Sequence, residues 1–153
     1  MVAKPPDDWW VKIGDFGISK REEQDVQSWS TLKGTSGFLA PELLGFCNHA
    51  GATAIDHKAA DMWALGETIV LVLTLQSTFD NLRALVDYCK GQGSLPIQYM
   101  KSYGISDEAY RFIERSMEAN PEYRLKVEDG LKDEWFQIQN NPNYTFSSSP
   151  TRP

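Results

Sequence analysis

Cysteine is scarce in this chain, which holds only Cys47 and Cys89 among its 153 residues. Small secreted domains usually rely on several disulfides, so this scarcity argues against that class. Residues 1–8 are polar and contain no apolar stretch of the kind that a secretory signal needs. Together these features predict an intracellular protein, cytoplasmic or nuclear, with free thiols.

The chain also lacks an excess of positive charge. Its formal net charge is -6, which argues against nucleic-acid binding through a basic surface. Apolar runs long enough to span a membrane are missing too. The uncharged stretch 68–79 is too short to cross a bilayer. His49 and His57 do not share zinc-site spacing with the cysteines. We therefore expect no nucleic-acid, membrane or zinc site.

Helical periodicity, by contrast, is abundant. The span Asp56–Gln76 begins with a capping residue and carries apolar side chains on all sides, which predicts a buried core helix. A transmembrane span is the alternative for this stretch, but the charges of Asp61 and Glu67 interrupt it. Apolar spacing and capping residues also predict three shorter helices: 80–90, 107–118 behind Ser106, and 127–136. Gly130 is a weak point within the last of them.

The remaining segments divide the chain around one folded domain. Residues 9–14 have the alternation of a short strand, and residues 18–39 are polar and aperiodic, which is typical of a long loop. Residues 1–8 are a polar lead-in. Residues 139–153 have the composition of a disordered tail. The folded domain is thus expected over 9–138.

Two short motifs bracket the predicted loop: Asp15-Phe16-Gly17 and Ala40-Pro41-Glu42. Further on, Asp61-Met62-Trp63 leads to Gly66, and Pro121-Glu122-Tyr123-Arg124-Leu125 comes before the last helix. In this order the motifs resemble those of the serine/threonine protein kinase family. The form of the segment before Glu42 is similar to that of the calcium/calmodulin-dependent branch.

The resemblance implies a mainly α fold. It would be a partial protein-kinase-like fold, with the large helical lobe, a short β segment before Asp15 and no small lobe. The activation segment would span 15–42 and the helical lobe 43–138. Leu75 and Lys126 depart from the family pattern, which has Gly and Thr at these positions.

The resemblance also assigns roles to residues of the activation segment. In the parent kinase Asp15, with Phe16 and Gly17, would hold Mg²⁺ on the phosphates of ATP, whereas this chain alone is not expected to bind them productively. Thr35 resembles the threonine that contacts the catalytic Asp of serine/threonine kinases. Thr31 resembles the activating phosphosite of an upstream kinase, and its neighbours Ser28 and Ser30 are alternative sites. An unmodified polar loop explains these residues equally well.

Three further residues match structural positions of the family. Glu42 and Arg124 resemble a buried ion pair that ties the end of the activation segment to the helical lobe. Asp61 resembles the helix residue that caps the catalytic loop. The sequence holds no such loop, so exposure of Asp61 to solvent is the alternative.

Several family motifs are absent from these 153 residues. There is no G-x-G-x-x-G, no V-A-I-K and no H-R-D-x-x-x-x-N. We therefore expect the carboxy-terminal part of a kinase whose protein substrates and missing amino-terminal half are its partners. Alone it should be inactive and should expose apolar surface around Ile69 and Leu73. A non-catalytic interaction module is the alternative.

Overall fold

The structure, a computed structural model, describes residues 12–14, 36–46 and 56–139. The chain divides into two units, residues 1–33 and 34–153. Within the first unit only Lys12–Gly14 are described, and they belong to no helix or strand. Most of the predicted loop 18–39 and nearly all of the predicted tail 139–153 lie outside the described residues.

The predicted short strand is not present in its described part. Ile13 is exposed, and no strand is assigned anywhere in the described residues. A strand needs a neighbouring strand to pair its backbone groups, so the alternation of Val11 and Ile13 was not sufficient evidence.

The unit 34–153 is mainly helical in its described part, which confirms the predicted class. A 3-10 turn at Ser36–Phe38 contacts the longest helix. Within the described ranges, no helix is both long and apolar enough to span a membrane. The helices are α1 His57–Thr74, α2 Leu82–Cys89, α3 Ile97–Ser102, α4 Asp107–Ser116, α5 Val127–Gly130 and α6 Glu134–Gln139.

Helix α1 begins where the sequence predicts. The side chain of Asp56 accepts hydrogen bonds from the backbone N–H groups of Lys58 and Ala59, at 2.9 and 3.2 Å. These bonds satisfy two of the amide groups that a helix start leaves without partners. The helix ends at Thr74, and Leu75 turns the chain away with a φ of 61°.

Only one face of α1 is buried, so the prediction of a fully buried helix is wrong. Trp63, Gly66 and Val70 lie on the buried face, while Leu65, Val72 and Leu73 are exposed. Ile69, expected to be exposed, is half-buried against the core. The described elements cover α1 on one side, and apolar composition alone does not reveal which side lacks a neighbour.

Helix α4 crosses α1 at a close approach that Gly66 permits. A Cβ added to Gly66 would lie 2.5 Å from Cγ of Met117 and 3.4 Å from Cβ of Ser116. Ser106 caps α4 by accepting from Ala109 N at 3.2 Å. The predicted core stripe of α4 is entirely buried: Ala109, Phe112, Ile113 and Met117.

We expect Gly66→Ala to destabilise the chain by about 1 kcal/mol. Overpacking against Met117 lowers the free energy of unfolding by roughly 1–3 kcal/mol, and the better helix propensity of Ala raises it by about 1 kcal/mol. Gly130→Ala is the matched control, since its nearest side-chain atoms would lie at an ordinary 3.5–3.6 Å. Urea unfolding of both variants measures the difference; an equal loss in both would contradict the close approach.

The predicted helix 127–136 is two helices, which corrects its boundaries. Helix α5 ends at Gly130, and α6 begins at Glu134. Between them, Asp133 accepts from Trp135 N at 3.0 Å and forms an ion pair with Arg115 at 2.8 Å. Asp133 therefore favours a fresh helix start over a continuous helix.

An aromatic cluster joins α1 to α2. Trp63 stacks on Phe79 with ring centroids 6.2 Å apart, and Phe79 lies 5.3 Å from Tyr88. The Tyr88 hydroxyl donates to the carbonyl of Met117 at 2.9 Å. Burial raises the pKa of Tyr88, so this hydroxyl remains a donor at physiological pH. The bond ties α2 to the end of α4.

Candidate functional site

The triplet Ala40-Pro41-Glu42 is held in a tight turn against the helices. Ala40 and Pro41 are buried. Backbone bonds close the turn: Leu43 N donates to Ala40 O at 3.0 Å, and Phe46 N donates to Pro41 O at 3.0 Å. Because its neighbours are buried, Glu42 has few orientations open to it.

Glu42 and Arg124 form a two-point ion pair. Arg124 Nη1 lies 2.7 Å from Glu42 Oε1, and Nη2 lies 2.8 Å from Oε2. The two side chains are 9% and 0% exposed, so both charges have left water. This parallel geometry is the strongest arrangement available to a guanidinium and a carboxylate.

Arg124 uses its remaining N–H groups on backbone carbonyls. Nη1 also donates to Ala59 O at 2.8 Å, Nε donates to Glu118 O at 2.8 Å, and Nη2 donates to Ala119 O at 3.3 Å. All five donors of the guanidinium are therefore occupied. One side chain thus joins the segment's end to the start of α1 and to the loop after α4.

The Arg124 guanidinium also lies over the indole of Trp63, with Cζ 5.3 Å from the ring centroid. A desolvated cation over an aromatic face is stabilised by the ring quadrupole. Trp63 is itself buried, as the member of the aromatic cluster that α1 contributes. Displacement of Glu42 would therefore disturb the packing of the core helix.

A cleft of about 460 Å³ opens beside the Glu42–Arg124 ion pair. The first turn of α1 and residues 121–128 line it, with Met62 and Leu125 among the apolar walls. Lys126, Glu122 and Glu128 give its rim mixed charge. Arg124 also borders the cleft, but its donors are all occupied, so it offers no free group to a ligand there.

The structure leaves the cofactor residues untested. Asp15, Phe16, Gly17, Thr31 and Thr35 lie outside the described residues. Within the part of the chain that is described, no group of three or more His, Cys, Asp or Glu side chains could hold a metal ion.

Asp61 is exposed on α1 and makes no hydrogen bond or ion pair among the described residues. This is the alternative stated for it above. The structure thus brings Glu42 and Arg124 together and leaves Asp61 on the opposite side of α1 from the buried face.

Sequence reasoning missed the carbonyl partners of Arg124 and the buried acid Glu67. Backbone carbonyls occur at every position, so no residue type signals Ala59, Glu118 or Ala119 as acceptors. Glu67 did carry a signal, because it follows Gly66 within the most apolar helix of the chain. That charge was interpreted only as an obstacle to membrane insertion.

The comparisons with known proteins agree on one family. The family model of the protein kinase domain matches residues 1–136. The serine/threonine-protein kinase cds1 of Schizosaccharomyces pombe is 33% identical over 130 residues, covering 84% of this chain and 28% of that protein. The calcium/calmodulin-dependent protein kinase cmkB of Emericella nidulans is 30% identical over 149 residues, covering 94% of this chain and 34% of that protein.

Solved structures agree on the fold. The structure of Rad53 1–466 in complex with AMP-PNP matches with a TM-score of 0.51 and 26% identity, covering 67% of this chain and 26% of that one. A structure of the Rad53 kinase domain and SCD2 with AMPPNP matches with a TM-score of 0.52, 22% identity and 74% coverage of this chain. The chain spans about a third or less of the length of the two curated kinases named above.

Proposed function

Because the chain belongs to the protein kinase family, we propose that residues 9–138 are the carboxy-terminal part of a serine/threonine kinase domain. The whole domain would transfer the γ-phosphate of ATP to Ser or Thr side chains of proteins. In this proposal residues 15–42 are the activation segment and residues 43–138 the helical lobe. The observation that carries it is the two-point Glu42–Arg124 bond, which links the motif at 40–42 to α1.

The residues present are too few to perform that reaction by themselves. Mg²⁺ prefers hard oxygen ligands and leans on substrate phosphates, which suits the carboxylate of Asp15. The sequence holds no H-R-D-x-x-x-x-N loop, so the base that orients the substrate hydroxyl and a second metal ligand are not supplied. In our proposal, phosphate transfer therefore requires the amino-terminal half of a kinase domain as partner.

The activation-segment residues keep the roles that the family suggests. Thr35 would contact the catalytic Asp of that missing half, and Thr31 would accept phosphate from an upstream kinase. Asp61 would cap the catalytic loop, which fits its exposed place on α1. The Glu42–Arg124 bond would hold the end of the segment whether or not Thr31 is modified.

We expect the purified 153-residue chain to show no phosphate transfer to generic protein substrates. The reason is the absent catalytic loop, which alone supplies the base. The assay follows ³²P transfer from ATP, with Asp15→Ala as the matched control. Transfer that Asp15→Ala abolishes would overturn the proposal, whereas transfer that survives the substitution would come from a contaminating kinase.

A second candidate is a non-catalytic interaction module that binds kinase substrates or regulators. The exposed apolar residues of α1 favour this candidate, because contiguous exposed apolar surface often marks a site where another protein binds. Equilibrium binding of ATP with Mg²⁺, measured with the amino-terminal half of a kinase domain added, separates the two candidates. Saturable binding that Asp15→Ala weakens would favour the kinase-domain proposal, and no binding under these conditions would favour the interaction module.

A further inference from the structure

Residues 75–81 join α1 to α2, and we call them the connecting segment. This segment has little structure of its own. No backbone–backbone hydrogen bond joins residues 76–80 to any other part of the described chain. Leu75, where the segment begins, has a φ of 61°, a conformation in which a Cβ is strained. Few contacts therefore hold the segment closed, and they act against local strain.

Two buried side chains hold the middle of the connecting segment on α1. Thr78 is buried, although Gln76, Ser77 and Asp80 around it are exposed. The backbone N–H of Thr78 donates at 3.3 Å to Oε2 of Glu67, which is buried on α1. Since the backbone of residues 76–80 makes no ladder with its neighbours, this bond is a main tie between the segment and the helix.

The connecting segment also supports the Glu42–Arg124 ion pair from behind. Phe79 follows Thr78 and stacks on Trp63, with ring centroids 6.2 Å apart. The Arg124 guanidinium lies over the same indole, with Cζ 5.3 Å from the ring centroid. If the segment opened, Phe79 would leave Trp63. The indole would then lose one of the groups that fix it beneath the guanidinium.

We propose that Glu67 and Thr78 form a proton-controlled latch on the connecting segment. While Glu67 is neutral, no charge has to be kept from water, and the segment stays closed on α1. When Glu67 loses its proton, water stabilises the carboxylate best in the open form. Opening withdraws Phe79 from Trp63 and so loosens the hold of Arg124 on the segment's end at 40–42.

The surroundings of Glu67 offer its charge little compensation. Burial raises the pKa of the Glu67 carboxyl, and the hydrogen bonds from Thr78 offset this only in part. No cation of the described chain is among the groups that act on this carboxyl. The charged form is therefore the one that gains from opening.

The other titratable groups near this crossing do not replace Glu67 as the proton-binding group. On α2, Tyr88 donates to the carbonyl at the end of α4. Burial raises the pKa of Tyr88, and the acids Glu118 and Glu114 raise it further, so this hydroxyl stays protonated at physiological pH. In the connecting segment, Asp80 is exposed and interacts with Tyr99 of α3. Proton release on opening is thus assigned to Glu67.

Rising pH should open the latch. Below the ordinary carboxyl pKa of 4.5, Glu67 is protonated in the closed and the open form alike, and pH has no effect on the equilibrium. Above that value the open form releases its proton first. The opening equilibrium should then increase up to about tenfold per pH unit, the limit for one proton, and level off once the pKa of the closed form is passed.

Amide-resolved hydrogen exchange of the full chain between pH 4 and 8 tests the latch. After correction for intrinsic exchange, the protection of the Thr78 N–H should fall with pH and then level off. Glu67→Gln keeps an oxygen for this bond but cannot ionise, so its protection should stay constant. Glu122→Gln removes an exposed acid and should keep the wild-type fall. The same pH dependence in wild type and Glu67→Gln would overturn the proposal.

Urea separates opening of the connecting segment from unfolding of the whole chain. Local opening exposes little surface, so low urea concentrations should barely change exchange of the Thr78 N–H. Exchange of the Ile113 N–H, in the buried stripe of α4, requires unfolding of the core and should rise steeply with urea. Equal urea dependence of the two amides would mean that only global unfolding exposes Thr78, and the latch would be wrong.

Arg124 reports whether the opening reaches the ion pair. Its Nε–H donates to Glu118 O at 2.8 Å, so exchange at Nε follows loosening of the guanidinium. The corrected protection of Nε–H should fall with pH in step with that of the Thr78 N–H, and Glu67→Gln should abolish the fall. Protection that ignores both pH and Glu67 would overturn the coupling to Arg124. No step of the test uses phosphate transfer, so its outcome is independent of the proposed function.

Discussion

Replacing Arg124 by Met is expected to destabilise the chain by about 3–5 kcal/mol, because it leaves the buried Glu42 carboxylate without its cation. Met keeps the length and the apolar stem over Trp63, so most of the packing is retained. Three backbone carbonyls also lose a donor, at Ala59, Glu118 and Ala119. Urea unfolding followed by tryptophan fluorescence measures the loss.

A double-mutant cycle separates the energy of the Glu42–Arg124 ion pair from that of the other contacts of Arg124. Glu42→Gln and Arg124→Met are measured singly and together, and the coupling between them should be at least roughly 1 kcal/mol. Arg111 and Glu134 supply the control pair, with Nη2 and Oε1 2.6 Å apart but side chains 50% and 59% exposed. Water screens such a pair, so its coupling should be well under 1 kcal/mol.

The comparison of the two pairs is informative because both are Arg–Glu contacts at hydrogen-bonding distance. They differ in burial and in geometry, since Arg124 bonds both oxygens of Glu42 while Arg111 bonds only Oε1 of Glu134. Equal couplings would mean that Glu42 and Arg124 are not desolvated in solution. The structural tie between the motif at 40–42 and the helices would then lose its energetic basis, and with it the main support for the proposed function.

Local chemistry made the strongest helices predictable. Asp56 and Ser106 each supply a side-chain oxygen at a helix start, and the stripe of α4 repeats at helical spacing. Such signals act within one or two turns and do not depend on the rest of the fold. The boundaries that they define agree with the structure to within a few residues.

The elements that sequence reasoning missed depend on contacts between distant parts of the chain. Helix α3 has only six residues, and Pro96 before it makes no side-chain cap. Such a helix carries too little periodicity to stand out. The break after Gly130 does have local signals, since Gly130 is a poor helix former and Asp133 caps the next helix through Trp135 N. Its ion pair with Arg115 of α4 is a distant contact that the local sequence does not reveal.

The site shows the same division between local and distant information. The pairing of Glu42 with Arg124 was expected only because the motifs resemble those of a family. Nothing in the residues between them indicates that two charges 82 positions apart meet. The open side of α1 was likewise hidden, because an apolar helix looks alike whether a neighbour covers it or not.

Glu67 is a charged residue in surroundings that disfavour its charge. It is 4% exposed on the buried side of α1, and its Oε2 accepts from Thr78 N at 3.3 Å. Burial raises the pKa of the Glu67 carboxyl, and the hydrogen bonds from Thr78 offset this only in part. The charged form is therefore disfavoured in the folded chain relative to the unfolded one.

The raised pKa makes stability depend on pH in a definite direction. Below the ordinary pKa of 4.5, the carboxyl is protonated in both states and costs nothing. As the pH rises past that value, the unfolded chain releases its proton first, so stability falls until the folded pKa is passed. The Asp107 carboxyl has the opposite effect. Lys101 lowers the pKa of Asp107, so the stability that Asp107 contributes is lost as the pH falls.

Glu67→Gln is therefore expected to stabilise the chain at pH 7 by roughly 1–3 kcal/mol, the cost of an incompletely compensated buried polar group. Gln keeps an oxygen for Thr78 N and carries no charge to desolvate. The gain should shrink towards zero near pH 4, where the wild-type carboxyl is neutral in both states. Urea unfolding between pH 4 and 8 follows both proteins, with the exposed Glu122→Gln as a control that should change by less than ~0.5 kcal/mol. A gain that is constant across this range would show that Glu67 acts through packing and not through its charge.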